Sequence, residues 1–298
     1  MARVSSYGQG QLLLHDALRN QQNVFKRQEQ VTSGMKSKDY SGIARDVGTL
    51  QGAKAIRARS EQFIAGNLEV ERRLNIYNTS LQGFRDLAMQ LRDDVLSAIN
   101  TDSGIALRVQ LESHFDSSVS ILNTRDNGRF IFSGTRTDTE PVTKKTPAAL
   151  AGVGASVATT PANVFSNNSL KQSSQIGDNL EMTYGILGED VGKGLMETFR
   201  RMFRFTDGTE AFSNAPAGSL KNPLDDNQSN FLRGELAALN AAIDTIDEVQ
   251  AKNGVNMKSL EEVQERHQID LNFMSIFITD IEEVDIGEAI SRLNQDQL

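Results

Sequence analysis

Between Ile56 and Ala98 an apolar residue returns at every seventh position, and this period constrains the chain more than any other feature. Ile56, Phe63, Val70, Tyr77, Phe84, Leu91 and Ala98 make one seam. Leu74, Leu81, Ala88 and Val95 make a second, each three residues before a later member of the first. These are the a and d positions of a coiled-coil-like helix. Starting near Arg45, such a helix would be a rod of roughly 80 Å, longer than a compact domain needs. One helix cannot bury its own stripe, so the seam predicts a partner helix.

Candidates for that partner lie on both sides. Residues 8–34 read as a helix whose face carries Leu14, Leu18 and Phe25, flanked by Val24 and Val31, with Gly34 as its stop. Residues 35–42 read as an irregular connector. Far along the chain, Leu232, Leu236, Leu239, Ile243, Ile246 and Val249 mark a second long helix from about Asn227. Gly254 interrupts or bends it, and the pattern resumes with Leu260, Val263, Leu271, Met274, Ile278 and Ile281. A last helix covers about Ile286–Leu298. Between the long helices, Asn100–Gly104 breaks the chain, with Asp102 or Ser103 placed to cap a helix carrying Leu107, Leu111, Phe115, Val119 and Leu122.

The centre has a different composition. Asn127-Gly128 followed by Phe130, Phe132 and the turn Ser133-Gly134-Thr135 predicts a hairpin. Residues 143–175 are rich in Ala, Ser, Thr, Gly, Asn and Pro, and Leu180, Met182, Tyr184 and Ile186 then alternate as a strand. A short helix over about Val191–Phe205 and a loop with Pro216 and Pro223 lead back to the helical pattern. The predicted fold is mainly α with a β-rich insertion. Its N- and C-terminal segments pair in a long antiparallel rod, with a small β domain at the tip. The expected domains are 1–45 with 285–298 for assembly, 46–142 with 188–284 as the rod, and 143–187 as the outer β part.

Charge supports paired ends. Residues 1–60 carry ten Lys/Arg against four Asp/Glu, whereas residues 254–298 carry three against ten. Such ends attract over about a Debye length of 8–10 Å. The net charge of −8 argues against a basic nucleic-acid surface. No apolar run approaches a membrane span, and Leu12–Leu14 is too short for a signal-peptide core.

Catalytic signals are weak. The chain has no Cys, which excludes a thiol nucleophile, Cys-ligated zinc and iron–sulfur chemistry, and its three His stand far apart in sequence. Gly188–Gly194 imitates a phosphate loop, but only three residues separate its first glycines and Gly194 follows Lys193. Asp225–Ser229 opens like a calcium loop, but Asn230 takes the glycine position and Leu236 the glutamate position, so helix capping explains it better. Asp280, Glu282, Glu283 and Asp285 read as a solvated acidic bend. No enzyme, cofactor or metal site is expected. The Leu14, Leu18 and Phe25 stripe has little nearby sequence to cover it, and an exposed stripe marks an interaction site.

Three stretches carry a resemblance. Arg3-Val4-Ser5 with its Gln-rich helix and Thr32-Ser33-Gly34 is similar to the N-terminus of the flagellin superfamily. Asn127–Gly134 resembles the hairpin of that superfamily's hook–filament junction members. Ile281–Leu293 resembles the bend into the last flagellin-like helix. Lys38–Gly42 stands where such proteins have a proline-containing connector, and the chain stops at Leu298, before the long final helix the resemblance implies.

The resemblance implies an extracellular structural subunit of the bacterial flagellum, exported unfolded by the flagellar type III apparatus. It implies self-assembly into a ring at the hook–filament junction, with hook-associated protein FlgK, flagellin and an export chaperone as partners. The assembly interface would be Leu14, Leu18, Val24, Phe25 and Val31. A filament flagellin is the alternative within the superfamily, and a cytoplasmic helical tether or export chaperone the alternative outside it.

Overall fold

The computed structural model describes residues 2–153, 164–206 and 219–297. The middle of the expected insertion, the loop at Pro216 and Leu298 lie outside the described residues. In chain order the elements are α1 (Ala2–Ser33), a 3-10 turn (Tyr40–Ile43), α2 (Val47–Asn100), α3 (Leu107–Leu122), β1 (Arg125–Asp126), β2 (Arg129–Phe130), α4 (Pro147–Ala151), β3 (Ser173–Gly177), β4 (Leu180–Thr183), α5 (Gly188–Thr206), α6 (Asp226–Glu282) and α7 (Ile286–Gln297). The fold is mainly α with a small β part, as predicted. Gly254 does not interrupt the second long helix, because α6 runs unbroken through it. No helix among the described residues is long and apolar enough to cross a membrane.

The chain divides into two compact units: residues 1–65 with 264–298, and residues 66–263. Both long helices contribute to both units.

In the first unit the two ends of the chain pair. The Gly34 N–H donates to Gln30 O at 2.9 Å and closes α1. The Lys36 N–H then donates to Glu282 O at 2.7 Å, and the Val284 N–H to Gly34 O at 2.9 Å. This antiparallel clasp turns α7 back along α1, where Arg27 meets Asp296 at 3.7 Å. The basic and acidic ends therefore lie together, and Lys54 also pairs with Glu282. The unit's core is small: Leu50, Ala53 and Ile278 are buried, with Ile43, Met274, Phe277 and Ile281 packed against them.

Here the heptad reading needs a correction. Ile56, expected in the rod core, is 44% exposed, and Phe63 is only half-buried, stacked on His267 with ring centroids 5.0 Å apart. A straight helix drifts about 20° per seven residues, so a seam facing inward at one level turns away several turns on. The seam that stays buried is the second one, which extends back through Asn67, Ser60 and Ala53. Two of those residues are polar, so an apolar search passes over them.

In the second unit Val70, Tyr77, Phe84 and Leu91 are buried as predicted, beside Leu74, Leu81, Ala88 and Val95. Antiparallel to α2, α6 presents Leu232, Leu239, Ile243 and Ile246. Polar groups on this seam are bonded across it: Asn67 Nδ2 donates to Ile176 O at 3.1 Å and Asn253 Nδ2 to Leu74 O at 3.0 Å. Phe115 of α3 meets Phe199 and Phe203 of α5 edge to face at 5.7 and 5.5 Å.

Asp102 does not cap α3, whose N-cap is Ala106 without a side-chain bond. Instead Asp102 accepts from the Leu224 N–H at both its backbone and side-chain oxygens, each at 3.2 Å, tying this turn to the residues before α6. The expected cap at Asp225 is present, because its Oδ1 accepts the Gln228 N–H at 2.8 Å.

Candidate assembly interface

The predicted interface residues separate on α1. Leu14, Leu18 and Phe25 face solvent, Phe25 with 69% of its surface exposed, and Leu12 and Leu13 join them. Val24 and Val31 are half-buried on the face of Arg27, whose guanidinium reaches Asp296 of α7. Thus α1 uses one face for α7 and leaves Leu14, Leu18 and Phe25 exposed on another.

The same unit carries a second exposed stripe that the sequence reading missed. Ile269, Phe273 and Ile276 are spaced by four and three residues along one side of α6, and all are exposed, Ile276 by 70%. On the other side, Met274 and Ile278 serve the core of the unit. A helix segment apolar on both sides buries both faces in its finished state. The signal was present as two interleaved stripes, of which only the inward one was read.

Magnitudes indicate what such faces can do. Burying one large apolar side chain contributes about 1.5–3 kcal/mol, while association costs roughly 4–15 kcal/mol of lost freedom. A contact through one stripe of three residues is therefore marginal. Two stripes engaged at once suffice, which suits repeated contacts in an assembly better than an isolated dimer.

The hairpin residues play an internal part. Asn127 (φ 49°) and Gly128 (φ 79°) form the two-residue turn between β1 and β2, the left-handed pair such a turn requires. Phe130, Phe132 and Ser133 are buried. Tyr77 donates its hydroxyl to Ile131 O at 2.7 Å and meets the Phe132 ring at 5.5 Å. Burial pushes the Tyr77 phenol up to about 12, so it remains a donor across the physiological range. Gly134 has φ 67°, and a Cβ there would lie 2.5 Å from Leu170 O. Arg72 holds Asp126 through both carboxylate oxygens, at 2.5 and 2.7 Å, which keeps that carboxyl below its ordinary range. The loop thus fastens onto α2.

Comparison with solved structures gives the arrangement a context. A Vibrio parahaemolyticus protein described as a flagellar hook-associated protein superposes with a TM-score of 0.57 at 17% identity, over 78% of this chain and 95% of that one. Bacillus cereus FlgL superposes with a TM-score of 0.56 at 16% identity, over 78% of this chain and 99% of that one. This chain shares the FlgL fold. The sequence matches no family model and no curated protein.

With that fold in view, the motifs set aside as non-catalytic find structural uses. Gly188 opens α5, with its N–H donating to Phe132 O at 2.8 Å. In the acidic bend, Glu282 pairs with Lys54, and Asp285 Oδ1 accepts the Glu288 N–H at 3.1 Å, capping α7.

Proposed function

We propose that this chain is a non-enzymatic structural subunit of the bacterial flagellum that joins the hook, through hook-associated protein FlgK, to the flagellin filament. The fold shared with FlgL over nearly the whole of that protein is the observation that carries this reading. The exposed stripes on α1 and α6 support it, because a ring-forming subunit needs apolar faces that only neighbouring copies cover. Leu14, Leu18 and Phe25 form the outward interface, while Val24 and Val31 brace α1 against the rest of its unit. Residues 1–45 with 285–298 act in assembly, 46–142 with 188–284 as the rod, and 143–187 as an outer domain. An export chaperone covers the α1 stripe before passage through the flagellar type III apparatus, and the assembled ring is extracellular.

Electron microscopy of flagella from a deletion strain tests this. Hooks that retain FlgK but carry no attached filament are the expected outcome. Immunogold labelling along the entire filament would instead make the chain a filament flagellin and overturn the junction assignment.

A further inference from the structure

We infer that the exposed α1 stripe of one copy of this chain packs antiparallel against the exposed α6 stripe of the next, so that each copy takes part in two unlike contacts. The inference rests on the assembly reading above and deepens it by naming which face meets which.

Each helix is held by another of its faces. Arg27 ties α1 to Asp296 of α7, and Met274 and Ile278 hold α6 to the core around Leu50. Turning either helix to bring the two stripes together within one chain would break those contacts. The stripes match in length, however. Leu18 and Phe25 are seven residues apart, as are Ile269 and Ile276, with Phe273 between. Seven residues of helix span about 10 Å. Set antiparallel, Phe25 meets Ile269 while Leu18 meets Ile276.

Charge selects this unlike pairing. Lys26 follows Phe25 and Asp270 follows Ile269, so each lies about 100° around its helix from the stripe. In an antiparallel pair those flanks fall on the same side, which places Lys26 beside Asp270. Both are exposed, and neither has an opposite charge as partner among the described residues. One turn further along the same side, Glu29 comes beside Arg266. A stripe paired with its own copy lacks this match. In the same antiparallel register, α1 on α1 sets Arg19 beside Lys26, and α6 on α6 sets Glu265 beside Asp280. Like charges across a contact repel. The unlike contact also repeats, because every added copy leaves one α1 and one α6 stripe open for the next.

The chain has no Cys, so single introduced cysteines report the pairing. Full chains carrying Leu18→Cys, mixed at high concentration with full chains carrying Ile276→Cys and oxidised with copper phenanthroline, should give the mixed disulfide dimer as the main product. So should Phe25→Cys with Ile269→Cys. All four positions are exposed, and circular dichroism checks that each variant keeps its helices. Lys26→Glu should slow the mixed product about two- to fivefold, as for an exposed ion pair, and Asp270→Lys in the other chain should restore it. Three results would overturn the pairing: mostly like-with-like dimers, Leu18→Cys joining Ile269→Cys in preference to Ile276→Cys, or no more mixed product than a Lys252→Cys control gives. Filament loss in the deletion strain without the mixed dimer would overturn the pairing and leave the function. The mixed dimer with normal flagella would do the reverse.

Discussion

The two units use the same two long helices and spend their apolar residues differently. In the second unit the persistent seam of α2 reads Leu74, Leu81, Ala88, Val95, and it closes against α3, α5 and α6. Followed back toward the first unit, the same seven-residue positions read Asn67, Ser60, Ala53. The helix continues because its backbone does not need a core to keep its pitch. The buried apolar surface shrinks to a small core around Leu50, Ala53 and Ile278, and the first unit places large side chains on its outside. Periodicity therefore specifies the helix, while the residue chosen at each period decides whether its face closes within the chain or is left for another molecule.

The sharpest test of that difference sets one core aromatic against three surface ones. Phe115→Ala removes a fully buried ring from the α3–α5 contact and should destabilise the chain by about 3–5 kcal/mol, read as a lower urea midpoint. The triple replacement Leu14→Ser, Leu18→Ser, Phe25→Ser should move that midpoint little, because exposed substitutions fall within about 0.5 kcal/mol each. On the proposed function, its effect should appear as loss of incorporation into flagella. If the triple variant destabilised the isolated chain as much as Phe115→Ala, the stripe would belong to an intramolecular core and the contrast would fail.

The second unit also encloses charge. Arg201 donates to both oxygens of Glu235 at 2.8 and 2.9 Å, and burial raises the Glu235 carboxyl above its ordinary range despite that partner. Arg201→Met would leave the carboxylate buried without its hydrogen-bonded partner, with only the charge of Arg200 still acting on it, costing about 3 kcal/mol, the low end for a broken buried pair because Arg201 keeps 19% of its side chain exposed. Without the guanidinium the folded-state pKa rises further. A carboxyl raised on folding contributes its stability below its unfolded value, about 4.3, and loses it as pH climbs through the folded value. The variant should therefore approach wild type near pH 4 and fall behind as pH increases. A deficit constant from pH 4 to 8 would mean that Glu235 does not carry the effect.

How much of this was legible in the sequence follows from which signals are local. The heptad gave α2, the glycine stop gave the end of α1, and Asn127-Gly128 gave the hairpin, since each depends on neighbours along the chain. Charge asymmetry carried one long-range fact, the pairing of the ends. What stayed hidden depends on partners distant in sequence. Nothing near Asn253 announces that its amide reaches Leu74 of another helix, and nothing near Asp102 announces Leu224. On the candidate interface, α1 was half read: the spacing placed Leu14, Leu18 and Phe25 on one face with Val24 and Val31 flanking it, but it gave no sign that those two turn toward the partnered face.

Gly134→Ala tests a feature of intermediate size. The left-handed backbone and the approach of Leu170 O together should cost about 1–3 kcal/mol. The loss should appear as faster amide exchange in the hairpin and in β3–β4, while amides of the first unit keep their rates. Equal acceleration in both units would show that they unfold together.

The smallest expected effect lies at the clasp of the first unit. Arg27 and Asp296 stand 3.7 Å apart with 28% and 29% of their side chains exposed, so water and salt screen them heavily. A double-mutant cycle with Arg27→Ala and Asp296→Ala should give a coupling of only about 0.2–1 kcal/mol. It should shrink as ionic strength rises past about 0.1 M, where the Debye length falls to about 10 Å. Amide exchange in α7 is the appropriate readout, because the local opening of that short helix feels the pair before the rest of the chain does. A coupling that persists unchanged in 1 M salt would mean that the attraction between basic and acidic ends does not hold α7. Packing around buried Ala289 would then hold it, and the charge asymmetry would guide which ends meet without fastening them.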